Sequence, residues 1–192
     1  MKINIYDILN IIKEFEGIIG AILGSIGTLI ATDILKRKGK LNIYLMDFKG
    51  KYWYREKDHY DLTTTKTKDN VLNSYKFDFI IDVYNSNELP KIMRDIKICI
   101  YKNKTLLNEV DVNDEETRRI SCHCVMVDKT TVFNINGRQS YNIKLSAELP
   151  EEETHKLKDG LILKLKYKNE KGKNKYFEIF NGMVEEPQVK EE

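Results

Sequence analysis

Around a helix, the residues from Gly17 to Thr32 sort by size. At about 100° per residue, Gly17, Gly20, Ala21, Gly24, Ser25, Gly27, Thr28, Ala31 and Thr32 fall on one side, and Ile18, Ile19, Ile22, Leu23, Ile26, Leu29 and Ile30 on the other. Toward the N-terminus, Tyr6, Asp7, Asn10, Lys13 and Glu14 continue the small and polar side, and Ile8, Ile11, Ile12 and Phe15 the aliphatic one. No charged residue lies between Ile18 and Thr32. Extended to Ile8 along its aliphatic face, the segment exceeds about 20 residues, enough to cross a bilayer core of about 30 Å.

A helix that only anchors a protein needs no second face. Gly20 and Gly24, Ala21 and Ser25, Gly24 and Thr28, and Gly27 and Ala31 are small-xxx-small pairs, which let helix backbones approach closely. Charged groups in a span usually face a bundle interior or a water-filled cavity. The sequence therefore predicts a self-associating helix over residues 1–36. Asn10, Lys13, Glu14, Gly17, Gly20, Ala21, Gly24, Ser25, Thr28 and Thr32 turn toward neighbouring copies or a shared pore. Asp33 lies on the aliphatic side, within reach of Lys36 and Arg37 at i, i+3 or i+4. Three other readings compete: a cleaved signal peptide, a buried helix of a soluble domain and a plain anchor. The first fits poorly because the basic residues follow the apolar run, and the second because glycine is costly in a soluble helix.

Lys36, Arg37, Lys38 and Lys40 follow the span, whereas Lys2 and Lys13 before it are diluted by Asp7, Glu14 and Glu16. The positive-inside bias then predicts a plasma-membrane protein with its N-terminus outside and its larger part in the cytoplasm. The three cysteines form no recognisable disulfide framework.

After a basic linker at 37–40, residues 41–184 read as one all-β domain, and 185–192 as an acidic tail without structure. Phe77, Phe79, Ile81 and Val83 alternate with Lys76, Asp78, Ile80 and Asp82, and Ile96, Ile98 and Ile100 with Lys97, Cys99 and Tyr101. Such alternation buries one face of a strand. Strands are expected over 41–48, 52–56, 75–84, 95–102, 105–112, 118–127, 131–136, 141–148, 161–168 and 175–180. Turns are expected at Lys49-Gly50, Asn85-Ser86-Asn87, Asn136-Gly137 and Lys171-Gly172. The stretch Lys57–Ser74 reads as a long loop, and Glu151–Glu153 as a loop with room for one helical turn. The fold class is mainly β: an N-terminal transmembrane helix followed by a β-sandwich, Ig-like or barrel-like.

Residues 36–184 carry 29 Lys or Arg against 22 Asp or Glu, a net of +7. Lys164, Lys166 and Lys168 share one face of a strand, spaced at about 6.6–6.8 Å, close to the phosphate repeat of an extended nucleic-acid strand. Lys51, Trp53 and Arg55 interleave basic and aromatic groups with Tyr52 and Tyr54, and Arg118-Arg119 is a third basic point. These residues are the expected contacts for the phosphates and bases of a nucleotide or single-stranded DNA. Lysine on a solvent-facing strand also blocks aggregation, and a basic domain can lie against anionic lipid. Cys122-His123-Cys124 invites a metal reading, but a strand points the histidine away from both cysteines. Ile120, Cys122, Cys124 and Met126 read instead as a core stripe. His59 and His155 have no identifiable nucleophile partner. No Walker loop, dinucleotide fingerprint, nucleophile elbow or zinc-protease motif occurs. The expectation is a non-enzyme with no cofactor and no metal, whose partners are itself (as a tetramer or larger), the lipid bilayer and a nucleotide or oligonucleotide signal. The alternative is a membrane-anchored interaction module that binds a protein and forms no pore.

In size, order of parts and helix face, the chain resembles single-span bacterial anti-phage effectors and is similar in plan to the Hailong class of channel effectors. That resemblance implies a tetrameric pore with one helix per subunit, and β-domains that respond to single-stranded DNA made by a partner nucleotidyltransferase. It supplies no residue-by-residue correspondence.

Overall fold

The computed structural model describes residues 13, 15–56, 61–122 and 124–189. Helix α1 (Glu16–Arg37) precedes eleven strands: β1 (Leu41–Glu56), β2 (Leu62–Thr63), β3 (Asn70–Asn85), β4 (Lys91–Lys102), β5 (Thr105–Asp111), β6 (Asn113–Ser121), β7 (Cys124–Lys129), β8 (Val132–Ile135), β9 (Ser140–Pro150), β10 (Leu161–Lys168) and β11 (Asn174–Gly182). A single helical turn, α2 (Glu151–Thr154), and a 3-10 turn (Leu157–Asp159) link β9 to β10.

The strands form two antiparallel sheets, ordered β2-β1-β3-β9-β6-β7 and β11-β10-β4-β5, with β8 on the start of β4. The alternation read in the sequence sets the inner faces. Phe77, Phe79, Ile81 and Val83 of β3 meet Ile96, Ile98 and Ile100 of β4 and Leu161, Leu163 and Leu165 of β10 in one buried cluster. Phe48, Phe77, Phe79 and Phe180 add tilted and stacked rings at centroid distances of 5.1–6.0 Å. Each large aliphatic or aromatic side chain buried here contributes about 1.5–3 kcal/mol. The result is a β-sandwich preceded by an apolar helix.

In four places the structure departs from the expectation. First, Lys49-Gly50 is no turn: β1 runs unbroken, and Gly50 faces Phe77 across the pair. A Cβ on Gly50 would lie within 2 Å of the Tyr75 hydroxyl, so the missing side chain makes room for a buried ring. Second, the expected loop Lys57–Ser74 is partly strand, because Leu62–Thr63 pairs with β1 and β3 begins at Asn70. Third, the single strand expected over 118–127 is two strands, with Cys122 at φ 49° opening a turn between them. The Ile120, Cys122, Cys124, Met126 stripe is therefore exposed, not core. Fourth, Glu186 of the tail is engaged: it accepts a hydrogen bond from Tyr54 Oη at 3.2 Å and pairs with Lys66 at 3.0 Å.

Asn85, fully buried at the end of β3, organises one end of the sandwich. Its Nδ2 donates to the carbonyls of Leu89, Ile135 and Asn136 at 2.9–3.1 Å, and its Oδ1 accepts from the Asn87 N–H. Truncating it leaves several buried backbone groups without partners, each costing about 1–3 kcal/mol. Asn85→Ala is expected to destabilise the sandwich by about 2–4 kcal/mol, more than Ser140→Ala on the surface nearby, as measured by urea denaturation.

Candidate functional site

The helix comes first. α1 is about 33 Å long at 1.5 Å per residue, and every residue in it is exposed. Gly17, Gly20, Ala21, Gly24, Ser25, Thr28 and Thr32 all lie on α1 and are exposed; Lys13 is helical and exposed but precedes α1, across the turn at Phe15, and Asn10 and Glu14 fall outside the described residues. A Cβ on Gly17, Gly20, Gly24 or Gly27 would meet no atom within 4 Å. Ser25 and Thr28 donate to their own helix, to the carbonyls of Ala21 and Gly24, both at 2.8 Å. With those hydroxyls satisfied internally, the stretch from Gly17 to Ala31 is apolar all round. Its two sides differ more in bulk than in polarity. Asp33 pairs with Arg37 at 2.9 Å, the i, i+4 option of the two the sequence left open.

The junction between helix and sandwich is built from side chains. Asn87 Nδ2 donates to the Arg37 carbonyl at 2.8 Å, satisfying one of the orphan acceptors at a helix C-terminus. Ser86 Oγ accepts from the Lys40 N–H and donates to the Lys40 carbonyl, both at 3.0 Å, and the Ser86 N–H donates to the same carbonyl. Gly39 passes so close to Asn87 that a Cβ would sit 2.7 Å from its backbone nitrogen. The expected turn Asn85-Ser86-Asn87 is thus also a clamp on the linker. The sequence shows turn-formers there, but not what they hold.

Each lysine of the β10 stripe carries a carboxylate partner. Lys164 lies 3.8 Å from Glu178 and over the Tyr101 ring, Lys166 2.6 Å from Glu109, and Lys168 2.8 Å from Asp95. Arg118 pairs with Glu115 at 2.6 Å, and Arg119 holds Asp128 through both guanidinium nitrogens at 2.8 and 2.9 Å. Lys166 and Lys168 line a groove of about 420 Å³ with Lys97, Lys129, Glu109 and Asp111. Thr130 borders that groove with a buried hydroxyl that has no hydrogen-bond partner among the described residues. Four lysines and three carboxylates leave it one positive charge in excess. Beneath it Cys99 is fully buried, and desolvation pushes its thiol up to about 11, which leaves it a protonated thiol at neutral pH.

The cluster of Lys51, Trp53 and Arg55 differs. Lys51 faces Lys76 directly across β1 and β3, and Lys76 sits over the Trp53 ring at 5.0 Å. Among the described residues neither Lys51 nor Arg55 has a carboxylate within 4.0 Å, whereas Lys76 has Glu148 at 3.4 Å. Like charges directly opposed on a sheet are destabilising unless an anion or carboxylate intervenes. The structure brings Lys51 and Trp53 together with Lys76, which sequence reading missed because the pairing depends on register. It separates them from Lys164, Lys166 and Lys168, which lie on the other sheet.

Two outcomes follow. Lys51→Glu places a carboxylate opposite Lys76 and is expected to raise stability by about 0.2–1 kcal/mol, read as a higher Tm; an unchanged or lower Tm contradicts the repulsion. Glu109 is held below its ordinary 4.5, first by the Lys166 hydrogen bond and against the cost of burial. Its folded-state value lies below the unfolded one, so the pair stabilises the sandwich above about pH 4.5 and that contribution fades as pH falls through the lower value. Glu109→Gln is expected to show a smaller loss of Tm between pH 6 and the acid range (about pH 3) than the parent chain.

Residues 39–180 match the family model described as the YopI Ig-like domain. The chain is 35% identical over 173 residues to the SPbeta prophage-derived uncharacterized protein YopI of Bacillus subtilis (strain 168), covering 90% of this chain and 96% of that one. Among solved structures it is similar to a protein from Archaeoglobus fulgidus (TM-score 0.37, 10% identity, 70% of this chain and 92% of that). It is also similar to the sporulation control protein Spo0M from Bacillus subtilis (TM-score 0.35, 9% identity, 77% of this chain and 49% of that). With the family model spanning most of the sandwich and the relative matching helix and sandwich alike, the chain belongs to the YopI Ig-like domain family.

Proposed function

We propose that the chain is a single-span membrane protein that self-associates through the small-residue side of α1 and presents its Ig-like sandwich at the cytoplasmic surface as a binding module. One observation carries this reading: the sandwich closes its core without the helix, and the helix buries nothing. An apolar helix with no partner among the described residues of its own chain is covered by lipid, by other copies, or by both. Lys36 and Arg37 in its last turn, with Lys38 and Lys40 beyond, favour the cytoplasmic side for the sandwich. The bulk asymmetry of α1, with hydroxyls turned onto their own backbone, favours close helix packing.

The glycines supply the test. Because a Cβ at Gly20 or Gly24 meets nothing within 4 Å among the described residues, an effect of enlarging it is expected to arise between chains. Light scattering of the full-length protein in mild detergent is expected to give a multi-subunit mass. Gly20→Ile with Gly24→Ile is expected to weaken association at least about tenfold, or about 1.4 kcal/mol, without changing the far-UV spectrum of the sandwich. A monomeric parent, or a double variant with unchanged mass, rejects self-association through this face.

A second reading adds a gated pore: the assembled helices enclose an ion path, and a nucleotide or single-stranded oligonucleotide on the sandwich shifts the assembly between closed and open arrangements. Two observations favour it. Lys13 falls on the small side by helical period in the sequence, and the opposed Lys51 and Lys76 beside Trp53 suit a phosphate and a base. The prophage origin in the relative's name fits a role in phage conflict. Conductance in liposomes that appears on adding an oligonucleotide and is lost in Lys51→Glu supports this reading. Oligomers that never conduct leave the binding module as the function.

A further inference from the structure

The β6–β7 hairpin presents a cluster of apolar side chains to solvent. Ile120 is 78% exposed, Val125 56% and Met126 46%. Register pairs Ile120 with Val125 on one face of the hairpin and sets Met126, opposite Arg119, on the other, so the tip is apolar on both faces. Only Asn113 and Asp114 join the hairpin to β9; beyond them it pairs with itself. Its root is stiff. Arg119 clasps Asp128, Thr117 Oγ1 donates to the Asp114 carbonyl and accepts from the Asp128 N–H, and Arg118 pairs with Glu115.

Register also gives its direction. β9 starts at the end of the sandwich where the helix departs: Ser140 pairs with Tyr84, next to Asn85, which pairs with Leu41 just after the linker. β6 is antiparallel to β9 from the Leu145–Asp114 pair, so the hairpin heads back toward that end. From Asp128 to Cys124 it covers about 13 Å, against about 17 Å from Leu145 to Ser140, at about 3.3 Å per residue. The same end is basic. Lys38, Lys40, Lys171 and Lys173 are all exposed there, the last two in the β10–β11 turn tied to the start of β4 by the 2.7 Å pair between Lys91 and Glu170, while Arg138 at the same end is paired with Glu88 at 2.7 Å.

We propose that the hairpin tip, Ile120 with Val125 and Met126, is a second membrane contact that inserts into the interface of an anionic leaflet beside the exit of α1. This rests on the reading of α1 as a span. Three apolar side chains on a narrow hairpin are far too little for a stable protein interface, which buries about 1,200 Å² or more. As an interfacial wedge added to an existing helix they suffice, because the helix already holds the tip at the surface and the basic end supplies attraction to anionic headgroups. The hairpin and helix together then fix the tilt of the sandwich on the membrane.

The exposed cysteines give the probe. In full-length protein carrying Cys122→Ser, Cys124 is the accessible thiol, since Cys99 is fully buried. It is labelled with an environment-sensitive nitrobenzoxadiazole dye and reconstituted in vesicles of phosphatidylcholine and phosphatidylglycerol. The expected result is blue-shifted emission that spin-labelled lipid quenches, with quenching falling several-fold in Ile120→Asp/Val125→Asp or when phosphatidylglycerol is omitted. Leu23→Cys and Glu152→Cys, each with both Cys122 and Cys124 replaced by serine, report the span and the far end of the sandwich. Water-like emission at Cys124 with a quenched Leu23 label overturns the hairpin contact alone. Apolar emission that lipid does not quench means a protein surface covers the tip, and also overturns it. An unquenched Leu23 label overturns the membrane span together with it.

Discussion

The buried amide of Asn85 is the interaction on which the arrangement depends. It ties the end of β3 to the loop that begins β4 and to the turn between β8 and β9, so strands of both sheets meet at one side chain. Its neighbours Ser86 and Asn87 use the platform so formed to hold the linker and the last helical carbonyl. Buried polar networks of this kind are stabilising when every member is satisfied, and they specify one geometry. Here the geometry specified is the angle at which an Ig-like sandwich meets the helix that precedes it.

Charge on the sandwich is arranged differently from charge on the helix. The β10 lysines are absorbed into pairs with Glu178, Glu109 and Asp95, so the net positive charge of the domain is expressed elsewhere. It appears at Lys51, and at Lys38, Lys40, Lys171 and Lys173 at the end from which the helix leaves. Long cationic side chains near carboxylates on a sheet face act mainly as local glue and contribute little each. Positive groups without such partners are the ones that shape a field.

The alternation in β3 and β4 was legible because a two-residue period and a buried face are local properties: Phe77 and Ile98 are buried as read. The helix was legible for the same reason. What escaped depends on register and on backbone conformation. Gly50 looked like a turn because glycine is turn-like in isolation, yet its role is to clear space for Tyr75 on another strand. Cys122 looked like a strand residue because its neighbours alternate, yet its positive φ reverses the chain and turns an expected core stripe out to solvent. The partners of the basic residues also escaped, since Glu109 and Lys166 lie 57 positions apart. Ligand contacts read from a stripe of lysines on one strand therefore carry less information than the same stripe read with its neighbouring strands.

The clamped linker has a geometric consequence for any assembly of this chain. Only three residues separate Arg37 from Leu41, and hydrogen bonds to Ser86 and Asn87 hold both ends of that stretch. Such a tether has no slack to absorb a mismatch between two symmetries. If the helices pack about a common axis, the sandwiches must repeat around the same axis at the same angular interval. Rolling one helix about its own length would then swing its sandwich as a rigid vane, converting a small rotation in the bilayer into a displacement of many ångströms at the far rim.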